Sequence, residues 1–373
     1  MDKSKKRKSL CILTDYMTVG GLERVVCAAI SCLWTDYDIK VYALYGGVTE
    51  EVANNIGKKV TIISRYRNSF ERLLLMVPFI GSAYLKLLIK EHFDYMIVLR
   101  PWFITAGYSG IADKTFFWNH SDKDIMYART EELSFLRKLN KVRLRYGYSG
   151  FDGVWVVNDV IKLDLEKAFQ LPNVNVLPNA IDSVEIIAGA QETVETSTFL
   201  EGCMNIVVVS WLSAEKGHIR LLEALTELKD ECKCRIILVG DGPDREMLEK
   251  YVMHHSMEDV VYFAGMQPNP YPYMAKADLL VLPSITESFG MVLLEAMALK
   301  TPVMTTDTVG GRYLTEDGSY GLLVKNSMIG IRDGIKLLYS DPNLKEHYAQ
   351  KGCIKAQEYD VKSFEKKIKF YLK

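Results

Sequence analysis

Short β-branched or aromatic runs alternate with helix-length amphipathic segments along this 373-residue chain, and the alternation runs through twice. The first round places strands at Leu10–Thr14, Ile39–Leu44, Val60–Ile63, Tyr95–Leu99, Thr115–Trp118, Gly153–Val157 and Val174–Leu177. Helical patterns lie among them at Leu22–Trp34, Asn68–Glu91, Glu131–Tyr146 and Asp159–Phe169. The second round places strands at Asn205–Ser210, Arg235–Val239, Val260–Phe263, Asp278–Leu282, Pro302–Thr305 and Gly321–Val324. Its helices fall at Lys216–Lys229, Pro243–His255, Pro270–Ala275, Phe289–Leu299 and Ser327–Ser340, with a terminal pair after Asp341. Strand, helix, strand at this spacing predicts α/β architecture with parallel sheets and right-handed crossovers.

The alternation lapses over Pro178–Gly202, rich in Glu, Thr, Ser, Ala and Gly. The expected division is therefore a doubly wound domain over 1–182, a linker over 183–202 and a second doubly wound domain over 203–373. The last helix is allowed to pack back on the first domain. Two such domains facing each other would direct the carboxyl ends of both sheets onto one cleft, where ligands bind in these folds.

Charge divides unevenly across that boundary. Residues 1–185 carry 25 Lys+Arg and 21 Asp+Glu, whereas residues 186–373 carry 21 and 26. The overall charge of -1 argues against a general nucleic-acid binder. The seven cysteines are an odd number without framework spacing, which fits reduced thiols and a cytoplasmic setting. Cys232 and Cys234 lack the second Cys/His pair of a zinc site. The apolar stretch after the basic Met1–Lys8 is too short for a signal peptide, and Leu73–Leu85 falls short of the ~18–20 residues that span a bilayer.

Five stretches can carry chemistry. Gly20-Gly21, before the first helix, permits close backbone approach to a phosphate or simply makes a tight βα turn. His120 follows the apolar strand Phe116-Phe117-Trp118, and Asp122-Lys123-Asp124 reads more readily as a surface loop than as a metal triplet. Lys216, opening the second domain's first helix, can meet a diphosphate as a point charge. Val239-Gly240-Asp241-Gly242-Pro243 reads as a plain βα turn. Glu287 lies in a loop after a buried strand, and Glu295 eight residues on lies inside a helix. With Phe289, Gly290 and Met291 at that helix start, two carboxylates can take sugar and ribose hydroxyls while amides hold phosphate. The same spacing also describes an N-terminal acid plus a surface acid. No Gly-x-Gly-x-x-Gly fingerprint is present, which disfavours a dehydrogenase.

Together these stretches resemble family 4 of the retaining GT-B glycosyltransferases. Gly20-Gly21-Leu22-Glu23-Arg24 is similar to its donor-phosphate loop, and Val176-Leu177-Pro178-Asn179-Ala180-Ile181-Asp182 to the segment closing its first domain. Lys216-Gly217, Glu287…Glu295 and Gly310-Gly311 follow in the family's order. Met266-Gln267-Pro268-Asn269-Pro270-Tyr271 resembles the loop that receives the base. The resemblance implies a GT-B fold of two Rossmann-like domains and transfer of a sugar from a nucleotide diphosphate, UDP above all, with retained configuration. It implies His120, Lys216 and Glu287 as catalytic residues, with Gly20, Gly21, Gln267, Asn269, Phe289, Gly290, Met291 and Glu295 binding the donor. No cofactor and no metal are implied, the nucleotide sugar being a substrate. The implied acceptor is a glycan or lipid-linked glycan in surface polysaccharide assembly.

One position departs from the pattern. Where the family reads Gly-Arg-Leu this chain has Ser210-Trp211-Leu212, so an arginine that partners the lysine on the diphosphate is missing. A lost charge-assisted contact to a leaving group costs ~1.5–3 kcal/mol, or about 10–150-fold in rate, unless Arg24, His218 or Arg312 substitutes. Trp211 thus motivates an alternative, a non-catalytic homologue acting as partner or chaperone of an active transferase. A sugar-nucleotide epimerase of the same fold fits the motifs least.

Basic residues also gather around apolar stretches, with Arg65, Arg67, Arg72, Lys86 and Lys90 near Leu73–Leu85, and Arg137, Lys138, Lys141, Arg143 and Arg145 in a second run. Such segments are solvated helix faces or peripheral contacts to an anionic membrane on its inner face.

Overall fold

The computed structural model describes residues 7–15, 17, 21–44, 46, 48–49, 52–53, 56, 60–64, 75, 77, 80–99, 110–121 and 134–373. The chain forms two compact units, Met1–Ala180 with Val361–Lys373, and Ile181–Asp360.

In the first unit, strands β1 (Lys8–Thr14), β2 (Tyr37–Ala43), β3 (Thr61–Ser64), β4 (Phe93–Val98), β5 (Ala112–Asn119), β6 (Gly153–Val156) and β7 (Val174–Val176) pair in the order β3-β2-β1-β4-β5-β6-β7. Every pairing is parallel. Leu10–Leu13 of β1 and Tyr95–Val98 of β4 are buried, as continuous apolar runs are when a sheet is covered on both faces. Helices α1 (Gly21–Leu33), α2 (Ile80–Leu88), α3 (Phe135–Ser149) and α4 (Asp159–Phe169) connect or flank these strands. Asn158 starts α4 by accepting from the Ile161 amide at 2.8 Å.

In the second unit, β8 (Met204–Val209), β9 (Cys234–Val239), β10 (Val261–Gly265), β11 (Leu279–Leu282), β12 (Val303–Thr306) and β13 (Leu322–Val324) pair in parallel as β10-β9-β8-β11-β12-β13. Its helices are α5 (Ser183–Gly189), α6 (His218–Leu228), α7 (Arg245–His254), α8 (Tyr271–Lys276), α9 (Met291–Ala298), α10 (Val309–Thr315), α11 (Met328–Ser340) and α12 (Pro342–Gln357). Leu221, Leu225 and Leu228 of α6 bury one stripe against Ile206, Val208, Ile236 and Leu238 of the sheet.

Two helices have no counterpart in the periodicity, α5 and α10. Both are short and depend on a cap: Asp182 accepts from the Val184 and Glu185 amides, and Thr308 accepts from the Gly311 amide. Of the expected Asn68–Glu91 helix, Ile80–Leu88 is helical and residues 65–74, 76 and 78–79 lie outside the described residues.

The terminal helix α13 (Val361–Tyr371) packs within the first unit. Phe364 stacks on Trp118 with ring centroids 5.7 Å apart, Tyr371 stacks on Trp155 at 5.9 Å, and the Tyr371 hydroxyl donates to the Val176 carbonyl at 3.1 Å. Lys369 pairs with Asp36 at 2.5 Å. Truncating the buried Phe364 to alanine is therefore expected to cost this unit about 3 kcal/mol. Urea unfolding followed by tryptophan fluorescence reads that loss, and a variant as stable as the parent would contradict the packing.

Candidate active site

The strand order of the second unit turns at the β8/β11 pair. Loops leaving two such strands run in opposite directions, which opens the ligand crevice of a doubly wound sheet. Here those loops are Ser210–Gly217 and Pro283–Gly290, and they are cross-braced. The Ile285 amide donates to the Glu215 carbonyl at 2.8 Å, and Arg220 Nη2 donates to the Pro283 carbonyl at 2.6 Å. Arg220 Nη1 also reaches Asn326, whose own amide nitrogen donates to Ile285 at 2.9 Å. Gly217 stands at φ +70°, and a Cβ there would lie 2.1 Å from the Pro283 carbonyl oxygen. Only glycine meets both demands.

The brace brings together two residues 71 positions apart. Lys216 Nζ donates to Glu287 Oε2 at 2.8 Å, with the side chains 23% and 15% exposed. Glu287 is held from behind as well, since its carbonyl accepts from the Gly310 amide at 2.7 Å. A side chain at Gly310 would press within 2.6 Å of the Phe289 backbone, so the glycine lets α10 seat against the loop.

Beyond Glu287 the chain turns at Gly290, in the left-handed region at φ +91°, and enters α9. Phe289 is buried against Tyr313 and Tyr359, ring centroids 6.0 and 5.9 Å away, which fixes this entry. Met291 is the first helical residue, so the leading amides of α9 have no intrahelical acceptor and its amino end favours negative charge. Glu295 lies further along the same helix, 2% exposed.

Behind Lys216, His218 is buried at the start of α6, its Nε2 2.8 Å from Ser210 Oγ. Burial, reinforced by the charge of Lys216, pushes its pKa down to about 4, so the ring is neutral at pH 7. Arg312 is held by Asp307 and Asp317, and Arg24 lies on α1 of the first unit. Neither His218 nor Arg312 stands as a free cation in place of the missing arginine. Trp211 itself is 54% exposed.

Gln267 and Asn269 spend their side chains on the protein. Gln267 Nε2 donates to the Ala264 carbonyl at 2.6 Å, and Asn269 Nδ2 donates to the Gly189 carbonyl at 2.8 Å while its Oδ1 accepts from the Tyr271 amide. These bonds shape the loop between β10 and α8. His120 belongs to the first unit, directly after β5, and its ring lies 4.6 Å from that of Trp118. Gly21 opens α1; Gly20 and Asp122-Lys123-Asp124 lie outside the described residues. Among the described residues no three His, Cys, Asp or Glu side chains gather as a metal site, and no helix is long and apolar enough to cross a membrane.

Residues 194–354 match the family described as glycosyl transferases group 1. An N-acetylgalactosamine-N,N'-diacetylbacillosaminyl-diphospho-undecaprenol 4-alpha-N-acetylgalactosaminyltransferase of Campylobacter jejuni is 26% identical over 367 residues, 95% of this chain and 96% of its own. Residues 194–354 of this chain carry a glycosyl transferases group 1 domain. The chain is a retaining glycosyltransferase. A lipopolysaccharide core biosynthesis glycosyltransferase of Rhizobium meliloti is 33% identical over 138 residues, 37% of this chain and 40% of that protein. The crystal structure of an Anabaena protein in complex with UDP and glucose superposes with a TM-score of 0.76 at 18% identity, covering 98% of this chain and 99% of that one. The fold is GT-B.

Motif reading singles out Lys216 and Glu287 separately and misses their contact. It also misses Arg220 and Asn326, whose bracing role follows only from the fold. The buried neutral His218 makes this glycosyltransferase acid-sensitive. With a folded pKa near 4 against an ordinary 6.5, the folded chain binds fewer protons than the unfolded one between those values. Stability is therefore whole above about pH 6.5 and falls toward pH 4, by up to about 3 kcal/mol from this residue. Urea unfolding from pH 4 to 7 should show a shallower pH slope for His218→Gln than for the parent; equal slopes would contradict a neutral buried ring.

Proposed function

We propose that this glycosyltransferase moves a sugar from a UDP-linked donor to a lipid-linked glycan acceptor during surface glycan assembly. The observation that carries the donor site is the Lys216–Glu287 pair beside the amino end of α9, at the turn of the strand order. Lys216 and the amides around Phe289–Met291 take the diphosphate, Glu295 the ribose hydroxyls, and Glu287 hydroxyls of the donor sugar. The backbone of the Gln267–Asn269 loop receives the base. The family resemblance also assigns Gly20, Gly21 and His120 to the donor. In this reading the bond from the anomeric carbon to the β-phosphate oxygen breaks as the acceptor oxygen bonds that carbon on the same face. The acceptor's proton passes to the departing phosphate oxygen. What the protein supplies is positioning and charge stabilisation for a leaving diphosphate.

Support for a lipid-linked acceptor comes from the Campylobacter relative, whose name specifies a diphospho-undecaprenol substrate. It also comes from α3, where Phe135, Leu136, Leu139, Val142 and Tyr146 are exposed on a helix that carries Arg137, Lys138, Lys141, Arg143 and Arg145 and no acid. An apolar stripe flanked by cations suits an anionic bilayer surface, at about 1 kcal/mol per charge near the lipid.

Two measurements test the reading. UDP at 100 times its dissociation constant should add about 2.7 kcal/mol, a thermal shift of a few degrees that Lys216→Met and Glu295→Ala diminish. The absence of any shift across a nucleotide panel would return the partner-protein reading prompted by Trp211. Separately, the parent should co-sediment at low salt with vesicles containing anionic lipid, and Leu136→Ser with Lys138→Glu and Lys141→Glu should lower the bound fraction several-fold. Equal sedimentation of parent and variant would remove α3 from the membrane contact.

A further inference from the structure

We infer that Glu287 is the internal counter-ion of Lys216, and that exchange of this partner lets the site distinguish an intact nucleotide sugar from the spent nucleoside diphosphate. The inference rests on the donor-site reading above. Lys216 and Glu287 meet at 2.8 Å, both largely screened from water. Their backbones are fixed by the Ile285–Glu215, Arg220–Pro283 and Gly310–Glu287 bonds, so exchange needs side-chain rotation alone.

Among the described residues of the second unit, two other candidate cations are spent: His218 is neutral and Arg312 is taken by two aspartates. A diphosphate that binds here must therefore draw Lys216 away from Glu287. What Glu287 receives in return depends on the ligand. A sugar nucleotide offers hydroxyl groups, which donate hydrogen bonds to a carboxylate. A free nucleoside diphosphate ends in phosphate oxygens, which at neutral pH act as acceptors, as carboxylate oxygens do. An intact donor thus replaces the partner that Glu287 loses, while the spent nucleotide strips Glu287 of its cation and sets two anions side by side. Once the sugar has left, Glu287 reclaims Lys216 and weakens the hold on the product.

Isothermal titration of UDP and of UDP-N-acetylgalactosamine onto the parent, Glu287→Gln, Lys216→Met and the double variant tests this. Glu287→Gln should bind UDP about 3- to 10-fold more tightly than the parent, and should lose the preference for the sugar nucleotide over UDP. In the Lys216→Met background the same change should alter UDP affinity less than about twofold. Glu287→Ala, with thermal melting as a check on folding, should repeat the gain. A Glu287→Gln that binds UDP no more tightly than the parent overturns the proposal. A gain that persists without Lys216 also overturns it, because Glu287 would then act by plain repulsion. If the parent binds neither UDP nor any sugar nucleotide, the donor-site reading itself fails.

Discussion

The candidate site depends on the brace between the loops that follow β8 and β11. A parallel sheet leaves these loops pointing away from its carboxyl edge, with backbone groups to satisfy and no strand partner to satisfy them. Here the Ile285 amide donates to the Glu215 carbonyl across the two loops, while Arg220 of α6 and Asn326, after β13, satisfy the Pro283 and Ile285 carbonyls. Gly217 removes the Cβ that would keep them apart. Lys216 and Glu287 are near neighbours because of that closure, and their 2.8 Å contact is a consequence of backbone geometry as much as of charge.

Both units repeat one strand order about their first strand, β3-β2-β1-β4 and β10-β9-β8-β11. Right-handed crossovers make this the simple way to cover both faces of a growing parallel sheet. What differs is the furniture at the carboxyl edge. In the second unit it includes a neutral histidine, a lysine–glutamate pair and a helix amino end. The first unit instead carries, on the exposed helix α3, an apolar stripe among cations. The basic excess of residues 1–185 and the acidic excess of residues 186–373 accompany these different chemistries.

The strands were legible in the sequence because buried parallel strands are uninterrupted apolar runs, as with Ile206–Val209 and Leu279–Leu282. Helix α10 was not, because Val309-Gly310-Gly311 has poor helix propensity and folds only under the Thr308 cap and against Phe289. Helix α5 is not legible either, because it is only seven residues long, too short for a clear periodicity, and starts under the Asp182 cap. At the site, Lys216 and Glu287 stood out by motif, but a contact across 71 residues carries no local signal. Gln267 and Asn269 were singled out for a ligand, and their side chains are bonded to the Ala264 and Gly189 carbonyls, partners that only the folded loop supplies.

The central claim is that the braced loops and the start of α9 form one donor-binding surface. Amide hydrogen exchange with and without a saturating UDP-sugar tests it most directly. The account predicts slower exchange across 213–218 and 285–295 together, with little change in α7. Protection confined to one of the two loops, or absent from both while the ligand is bound, would contradict it.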